Sequence, residues 1–495
     1  MRIFSFCFTV FFLSCSAAHA ADITEHDLLG HIKILASDDF GGRKPGTEGE
    51  NKTVNYIATQ WKNAGLLPAS ENDNWYAPVA MIDRIPVSQE IAFILQGKRA
   101  KRIKVGKDQI VLRGAAAENQ LANMPIVHAG YGSANIEDMR PFVSGKIAFL
   151  FASSPSGSTD SPAFRERKAN LIAAGASGVI AIIKGESRWK RDARRFRSVS
   201  ASLADKNSHA IVEGIISADA AEKIFRKGDV DVKNLDEDIE HTEFQPVLVP
   251  ILANLSVKTQ LRNYVSNNVI GKIAGRKPKT GAVLFLGHWD HFGDCEPESL
   301  GDRICNGAVD NASGISLLIE TAKRLAKISL DRDIYFLATT AEEQGLLGAS
   351  AFVAHPSFAL NRLVAVFNAD TVALAPDGKL IAVVGHGETD LDEDLGKVAK
   401  AEGREIDTTG TSDKFLKRQD GYIFLKMGIP SFMITSAFAD QERLDAYIAG
   451  RYHDVSDEAD DGLILGGAAA DANFHVALGH YFGNIATYPL KGPSD

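Results

Sequence analysis

The sequence predicts an α/β protein in which strands and helices alternate in two separate series. The chain has 495 residues, of which 45% are hydrophobic, and at roughly 150 residues per domain this length suggests two or three domains with substantial cores. The first series begins near Pro125 with the strand pattern IVHAGYG, and the second begins at Asn268 with VIGKIAG. Such alternation is typical of a sheet covered by helices.

The N-terminus has the three parts of a secretory signal peptide. Residues 1–20 contain an early basic residue, an apolar stretch and a small-residue site that ends at Ala20. The apolar stretch is about half the ~20 residues that a membrane-spanning helix needs. We therefore expect cleavage after Ala20 and an exported protein, periplasmic or extracellular, with no membrane insertion. An uncleaved anchor and a lipoprotein modified at Cys15 are the alternatives.

The remaining chain divides into three parts. Residues 21–115 begin with two predicted helices joined by a glycine-rich turn and continue as mixed, strand-like sequence. Residues 116–248, which we call the insert, contain the first alternating series and close with a charged, irregular segment from 186 to 245. Residues 249–495 contain the second series, with a closing helix at roughly 461–487 and strands at 269–275, 282–290, 333–343 and 363–370.

Three strands of the second series run into metal-binding residue types at their carboxyl ends. His288 and Asp290 follow AVLFLG, Glu342 and Glu343 follow IYFLATTA, and Asp370 follows LVAVFNA. Ligands of open α/β sheets bind at that edge, and imidazole nitrogens and carboxylate oxygens are ligands of zinc. The pattern therefore predicts a metal site there.

Two loop residues extend this set: Asp310 in NGAVDNASG and His453 in RYHDVSDEAD. Such donors, with one carboxylate shared, suffice for two adjacent metals that hold a hydroxide between them. Asp290 is spaced to accept the second ring N–H of His288. One of the paired glutamates can bind metal while its neighbour carries the proton. His291 lies near the site and is expected to be structural.

Charge and cysteine usage exclude several classes of protein. The 54 Lys and Arg residues against 63 Asp and Glu residues give a net charge of -9, and no basic run indicates a nucleic-acid partner. Four cysteines are too few for a disulfide scaffold. After signal removal Cys295 and Cys305 remain, and in an exported protein we expect them to form a disulfide. Two free thiols are the alternative.

The motifs GHWDHFG, NGAVDNASG, TTAEEQGLLGA, NADTV and YHDVSDEAD resemble those of the co-catalytic zinc exopeptidases of peptidase family 28. The resemblance implies the zinc exopeptidase fold, a mixed central sheet flanked by helices, with the insert as a smaller α/β protease-associated domain. It also implies two Zn²⁺ per chain bridged by Asp310. His288 and Asp370 would complete one site, and Glu343 and His453 the other.

The same resemblance implies roles in catalysis. Glu342 would be the general base, Asp290 would support His288, and Tyr422 would steady the tetrahedral oxyanion. The segment RQDGYIFLKMGIP departs from the family's pattern at Gln419 and Gly421, where serine and histidine are usual.

The resemblance makes hydrolysis of peptides the expected function, with release of N-terminal residues as the first interpretation. Carboxypeptidase or dipeptidase action is the second, because that branch reads a substrate carboxylate with arginines and the sequence places no arginine in the pocket. A non-catalytic receptor on the same fold is a third interpretation, and a single-zinc cyclase of N-terminal glutamine is a fourth. The sequence leaves side-chain preference and oligomeric state open.

Overall fold

The structure is a computed structural model that describes residues 21–96, 101–153, 162, 164–204, 210–230, 245–295 and 301–489. The signal peptide predicted at residues 1–20 lies outside these ranges. Within them, no helix combines the length and the apolar character needed to cross a bilayer.

The α-helices of the described residues are, in chain order, α1 Glu25–Leu35, α2 Glu48–Ala64, α3 Ile136–Val143, α4 Phe164–Ala173, α5 Glu186–Arg197, α6 Ala218–Lys227, α7 Gly314–Leu325, α8 Leu347–Ala354, α9 Asp392–Ala401, α10 Gly421–Leu425, α11 Gln441–Ala449 and α12 Gly466–Gly483. Local sequence sets several boundaries. Thr24 caps α1 together with Asp27 in a capping box, and α2 ends at Gly65 in the left-handed conformation that glycine adopts without strain.

The strands are β1 Leu67–Pro68, β2 Tyr76–Leu95, β3 Lys101–Ile103, β4 Ile110–Gly114, β5 Glu118–His128, β6 Ile147–Phe151, β7 Gly178–Ile183, β8 Ser200–Leu203, β9 Val212–Ser217, β10 Val247–Ile273, β11 Ala282–His288, β12 Gly293–Asp294, β13 Ile304–Cys305, β14 Asp333–Thr339, β15 Leu363–Asn368, β16 Leu380–Val384, β17 Glu405–Ile406 and β18 Ser431–Thr435.

Among the described residues, sixteen strands form one continuous sheet in the order β17-β16-β18-β15-β11-β14-β10-β5-β6-β7-β9-β4, with β1, β2, β3 and β8 paired beside this path. Strand β11 is parallel to β14 and β15, whereas β10 is antiparallel to β14. β11 and β14 are buried along their whole length because helices cover both faces. The predicted fold class, α/β with a mixed central sheet flanked by helices, is confirmed.

A long antiparallel ribbon of β2 and β10 joins two packed regions. Val269–Ile273 of β10 pair with β14, whereas its first half pairs with β5 in the insert. One large hydrophobic cluster contains Phe285, Phe336 and Phe367. Two further hydrophobic clusters lie within and beside the insert. One contains Phe149, and the other contains the next residue, Leu150.

Two features differ from the sequence prediction. Strand β4 pairs with β9, so it belongs to the sheet of the insert although the predicted boundary at residue 116 placed it outside. The segment 186–245, expected to be irregular, contains α5, β8, β9 and α6. Helix α5 was not predicted because charged residues dominate its sequence ESRWKRDARRFR, and its apolar face is only the narrow stripe of Trp189, Ala193 and Phe196 that packs on the insert's core.

One buried histidine gives the fold a specific sensitivity to acid. His475 of α12 is fully buried and packs against Phe285. Its Nδ1 donates to the carbonyl oxygen of Asp471 at 2.7 Å, and its Nε2 has no hydrogen-bond partner among the described residues. Burial lowers the pKa of His475 to about 4, because a proton on Nε2 would be left unpaired in the core.

We expect this histidine to destabilise the protein as the pH falls from about 6.5 to 4. An unfolded histidine has a pKa near 6.5, so the unfolded chain binds more protons throughout this window. The free energy of unfolding should therefore fall by up to about 1.4 kcal/mol per pH unit from this group. Urea denaturation of wild type and His475→Asn, in chelator, measures the effect. A stability difference that stays constant across the window would contradict it.

Candidate metal centre

The predicted donors meet at one edge of the sheet. Strands β14 and β15 are both parallel to β11, so their carboxyl ends lie side by side. His288 is the last residue of β11, Glu343 follows β14 and Asp370 follows β15. The loops that contain Asp310 and His453 reach the same edge.

Asp310 lies between two histidines. Its Oδ1 is 3.2 Å from Nε2 of His288, and its Oδ2 is 3.2 Å from Nε2 of His453. Oδ1 of Asp370 lies 3.6 Å from the same nitrogen of His288. Oε2 of Glu343 lies 3.1 Å from Nε2 of His453. The five predicted ligands therefore form two groups that share one carboxylate.

His291 joins the second group, although we expected it to be structural. It is buried, and its Nδ1 lies 2.8 Å from Oε1 of Glu343. One atom each of His291, Asp310 and Glu343 lies within 4.8 Å of the other two. The sequence feature that could have indicated His291 as a donor is its position three residues after His288.

These donor atoms are close together without being hydrogen-bonded. Among the described residues, Nε2 of His453, Nδ1 of His291 and Oε1 of Glu343 are buried and have no partner of hydrogen-bond geometry. Leaving such atoms unsatisfied is costly. Imidazole nitrogens and carboxylate oxygens that converge in this way match the ligand preference of zinc, so the donor set fits this metal.

Asp457 holds the main chain that carries Asp310. Its Oδ1 accepts the N–H of Val309 at 3.1 Å, and its Oδ2 accepts the N–H of Asp310 at 3.2 Å. The Tyr447 hydroxyl donates to the same Oδ2 at 2.9 Å. Sequence reasoning assigned no role to Asp457 or Tyr447, because these bonds cross from one loop to another.

Asp290 contacts its neighbours differently from the prediction. Nδ1 of His288 donates to the main-chain oxygen of Asp290 at 3.1 Å, whereas the carboxylate Oδ1 lies 3.8 Å away. That Oδ1 accepts the main-chain N–H of Glu342 at 3.0 Å. Because the carbonyl can only accept, the proton of His288 stays on Nδ1 and Nε2 is free to bind. The carboxylate instead holds the main chain at Glu342, just after strand β14.

The adjacent glutamates have opposite electrostatic surroundings. Burial raises the pKa of Glu342 well above its ordinary value, and the charge of Glu343 adds to this although His288 opposes it. Burial also acts upward on Glu343, but His453 and His291 outweigh it and lower the pKa of this carboxyl. Glu342 thus has the properties of a proton carrier, and Glu343 those of an anionic ligand.

Arg43, in the glycine-rich turn before α2, binds the loops that carry the candidate ligands. Its fully buried guanidinium donates to the main-chain oxygens of Trp289, Leu35 and Gly307 at 2.8–2.9 Å, and also to that of Asn306. Burial lowers the pKa of Arg43 to about 10, against the opposing charges of nearby carboxylates. It is therefore charged at neutral pH and places a cation beside an acidic cluster.

A cleft opens over the donors. It is lined at its polar end by His288, Asp310, Glu342, Asp370 and Thr371, and elsewhere by Phe415, Arg418, Gln419, Met433, Phe438, Leu444, Tyr447, Ile448 and Tyr452. Most of the second set are apolar or aromatic. Tyr452 stacks on His453 with ring centroids 3.6 Å apart.

Tyr422 is not among the residues that line this cleft. It lies on the short helix α10, where Lys426 approaches its ring at 5.8 Å. Burial raises its pKa, and the charges that add to the effect are those of Glu166 and Glu388. The role predicted for Tyr422 at an oxyanion stays a prediction, and Tyr447 and Tyr452 are tyrosines that line the cleft. Gln419 lines the cleft, and its Oε1 accepts the N–H of Gly421 at 2.7 Å.

Cys295 and Cys305 form a disulfide in the structure. It links the residue that follows β12 to the last residue of β13, beside the pairing of these two strands. Neither sulfur takes part in the donor groups.

The candidate site lies within a stretch of the chain that is similar to a peptidase family. Residues 268–472 match the profile of Peptidase family M28. Aminopeptidase YwaD of Bacillus subtilis is 26% identical over 372 residues, covering 72% of this chain and 66% of that protein. A probable leucine aminopeptidase 2 of Aspergillus oryzae is 27% identical, covering 46% of this chain and 42% of that protein. The chain thus spans less than two thirds of these relatives.

A probable zinc metalloprotease of Pyrenophora teres is 34% identical over 112 residues, covering 22% of this chain and 24% of that protein. Among solved structures, an aminopeptidase from Aneurinibacillus sp. strain AM-1 superposes with a TM-score of 0.50 at 18% identity, covering 92% of this chain and 94% of that one. At this identity the likeness shows a shared fold.

Proposed function

We propose that this chain, whose residues 268–472 form a peptidase family M28 domain, is an exported di-zinc metallopeptidase that releases N-terminal residues from peptides. The observation that carries the proposal is the shared position of Asp310, with one carboxylate oxygen toward His288 and the other toward His453. One carboxylate aimed at two histidine groups suits a pair of metals. Two relatives, one from Bacillus subtilis and one from Aspergillus oryzae, are named aminopeptidases, and these names support the reaction class.

Zinc is the proposed metal, at two ions per chain. His288, Asp310 and Asp370 would hold one ion, and Asp310, Glu343 and His453 the other, with His291 as an additional donor beside the second. The name of the Pyrenophora relative supports zinc. When bound, the two ions would polarise the scissile carbonyl and lower the pKa of a water between them.

Glu342 is the proposed general base. Its side chain lines the cleft beside the donors, and its raised pKa suits a group that takes a proton from water and gives it to the leaving nitrogen. Asp290 keeps this carboxyl in place through its bond to the Glu342 N–H.

Tyr452 is a second proposed donor to the oxyanion, in addition to Tyr422. Burial raises the pKa of Tyr452, and the carboxylates of Asp310 and Glu343 add to the effect. Its hydroxyl therefore stays protonated at neutral pH and can donate a hydrogen bond to developing negative charge.

The far wall of the cleft supports a preference for hydrophobic N-terminal residues. Phe415, Met433, Phe438, Leu444 and Ile448 line it, and an apolar pocket binds apolar side chains while rejecting charged ones that would lose their water. We also propose that the signal at residues 1–20 directs export to the periplasm or beyond, and that the insert is a protease-associated domain.

Carboxypeptidase or dipeptidase action is the second candidate, and one observation favours it. Arg418 lines the same cleft, where it donates to the Tyr452 hydroxyl at 3.3 Å. A guanidinium in that position can bind a substrate carboxylate with two parallel hydrogen bonds.

Glu342→Gln should abolish most turnover while leaving the metals in place. The amide keeps the shape of the side chain but cannot accept the proton, so kcat/KM should fall by about 100- to 10,000-fold. Zinc content, measured by elemental analysis after gel filtration, should stay at the wild-type value. The exposed Glu405→Gln is the matched control and should behave as wild type. A Glu342→Gln enzyme with more than half of wild-type activity would exclude this base.

A substrate panel should separate the two candidate functions. We expect leucine and phenylalanine anilides to be hydrolysed at least about tenfold faster than the aspartate anilide, because the pocket is apolar. N-blocked dipeptides with a free carboxylate should be inert. Preferential cleavage of the blocked dipeptides, lost in Arg418→Ala, would instead establish carboxypeptidase action.

A further inference from the structure

The insert reaches the loop that follows the paired glutamates. Arg165 lies in α4 of the insert, and its Nη2 donates to the main-chain oxygen of Gln344 at 2.8 Å. Its Nη1 donates to the main-chain oxygen of Gly345. One guanidinium therefore binds the two carbonyls that come directly after Glu342 and Glu343, across a sequence separation of 179–180 residues.

A second part of the insert shares a hydrophobic cluster with the residue that precedes the same pair. Leu203 of β8 is buried and packs in one cluster with Ala341 and Leu347. Strand β8 is held there by antiparallel pairing with β2, in which Leu203 lies opposite Met81. Ala341 is the residue immediately before Glu342. The insert therefore packs apolar side chains near the residue before the two glutamates, and Arg165 donates charge-assisted hydrogen bonds to the two residues after them.

The segment between these contacts is a tight turn built around Glu342. Its carbonyl oxygen accepts the N–H of Gly345 at 2.7 Å and that of Leu346 at 2.9 Å. Gly345 has φ +110°, and a Cβ at this position would overlap the guanidinium of Arg165. The turn is thus shaped to let the guanidinium approach its backbone, which a larger residue would prevent.

We infer that Arg165 and Leu203 of the insert are positioning residues that hold the 341–347 turn, and through it the Glu342 carboxyl, in its working place. This rests on the proposed function of Glu342. Arg165 touches the turn through main-chain carbonyls, so it acts on catalysis by fixing geometry. A displacement of about 1 Å in a catalytic group can cost on the order of 100-fold in rate. Losing the contacts of Arg165 can therefore lower the rate although Arg165 does not touch the substrate.

The first test is Arg165→Ala, with Arg165→Lys as the conservative variant and Arg140→Ala as the control. Arg140 lies in α3 of the insert and bonds to Glu137 and Ala173. We expect Arg165→Ala to lower kcat about 10- to 100-fold while KM changes less than about threefold. Arg165→Lys should recover part of kcat because it can still donate to one carbonyl. Arg140→Ala should match wild type.

Hydrogen exchange on the metal-free protein supplies a readout besides activity. Without the guanidinium, the amides of Gly345 and Leu346 should exchange about tenfold faster or more, with the rest of the chain unchanged. Leu203→Ala should produce the same local change from the other side of the turn. Unchanged exchange at these amides together with unchanged kcat in Arg165→Ala would overturn the inference.

The outcomes separate this inference from the proposed function. A wild-type protein without peptidase activity would refute the proposed function, and an active Glu342→Gln variant would refute the proposed base. Both conclusions are independent of the Arg165 results. A wild type that needs Glu342 but tolerates Arg165→Ala and Leu203→Ala would refute the positioning role alone. An Arg165→Ala protein whose exchange increases throughout the insert would show a structural role instead, and would also count against it.

Discussion

The shared carboxylate of Asp310 is the constraint on which the site depends. Its two oxygens each lie 3.2 Å from a different histidine nitrogen, so both groups of donors are complete only while this side chain keeps its place. Asp457 fixes its main chain from one side. Arg43 fixes the preceding loop from the other, through the carbonyls of Asn306 and Gly307. The candidate metal centre is therefore held mainly by bonds to backbone atoms, which would not compete with metals for the ligands.

The site also concentrates negative charge where water is largely excluded. The carboxyls of Asp290, Asp310, Glu342, Glu343 and Asp370 surround it, and Arg43 is the buried arginine that bonds to its loops. Burying carboxylates without cations is costly, so metals at this edge would relieve the charge that the fold creates. Burial raises the pKa of Glu342, whereas the imidazoles that lie beside Glu343 lower the pKa of that carboxyl.

Sequence alone predicted the α/β class and the set of donors, because buried parallel strands leave continuous apolar runs and their next residues lie at a known edge. It missed what depends on distant contacts. Asp457, Arg165 and the bonds of Arg43 act across long sequence separations and leave no local pattern. Helix α5 has only a narrow apolar stripe among many charged residues. The role of Tyr422, assigned by resemblance in a segment that departs from the family at Gln419 and Gly421, stays a prediction. The carboxylate of Asp290 had the right spacing, but its carbonyl lies closer to His288.

Counting zinc in two variants tests the shared carboxylate most directly. If Asp310 bridges two ions, His453→Ala should lose one zinc and keep the ion held by His288 and Asp370, whereas Asp310→Ala should retain fewer than one zinc per chain. Elemental analysis of gel-filtered protein, with folding checked by near-ultraviolet circular dichroism, gives both values. A folded Asp310→Ala protein that keeps one zinc at wild-type affinity, or two, would contradict the bridging role of Asp310.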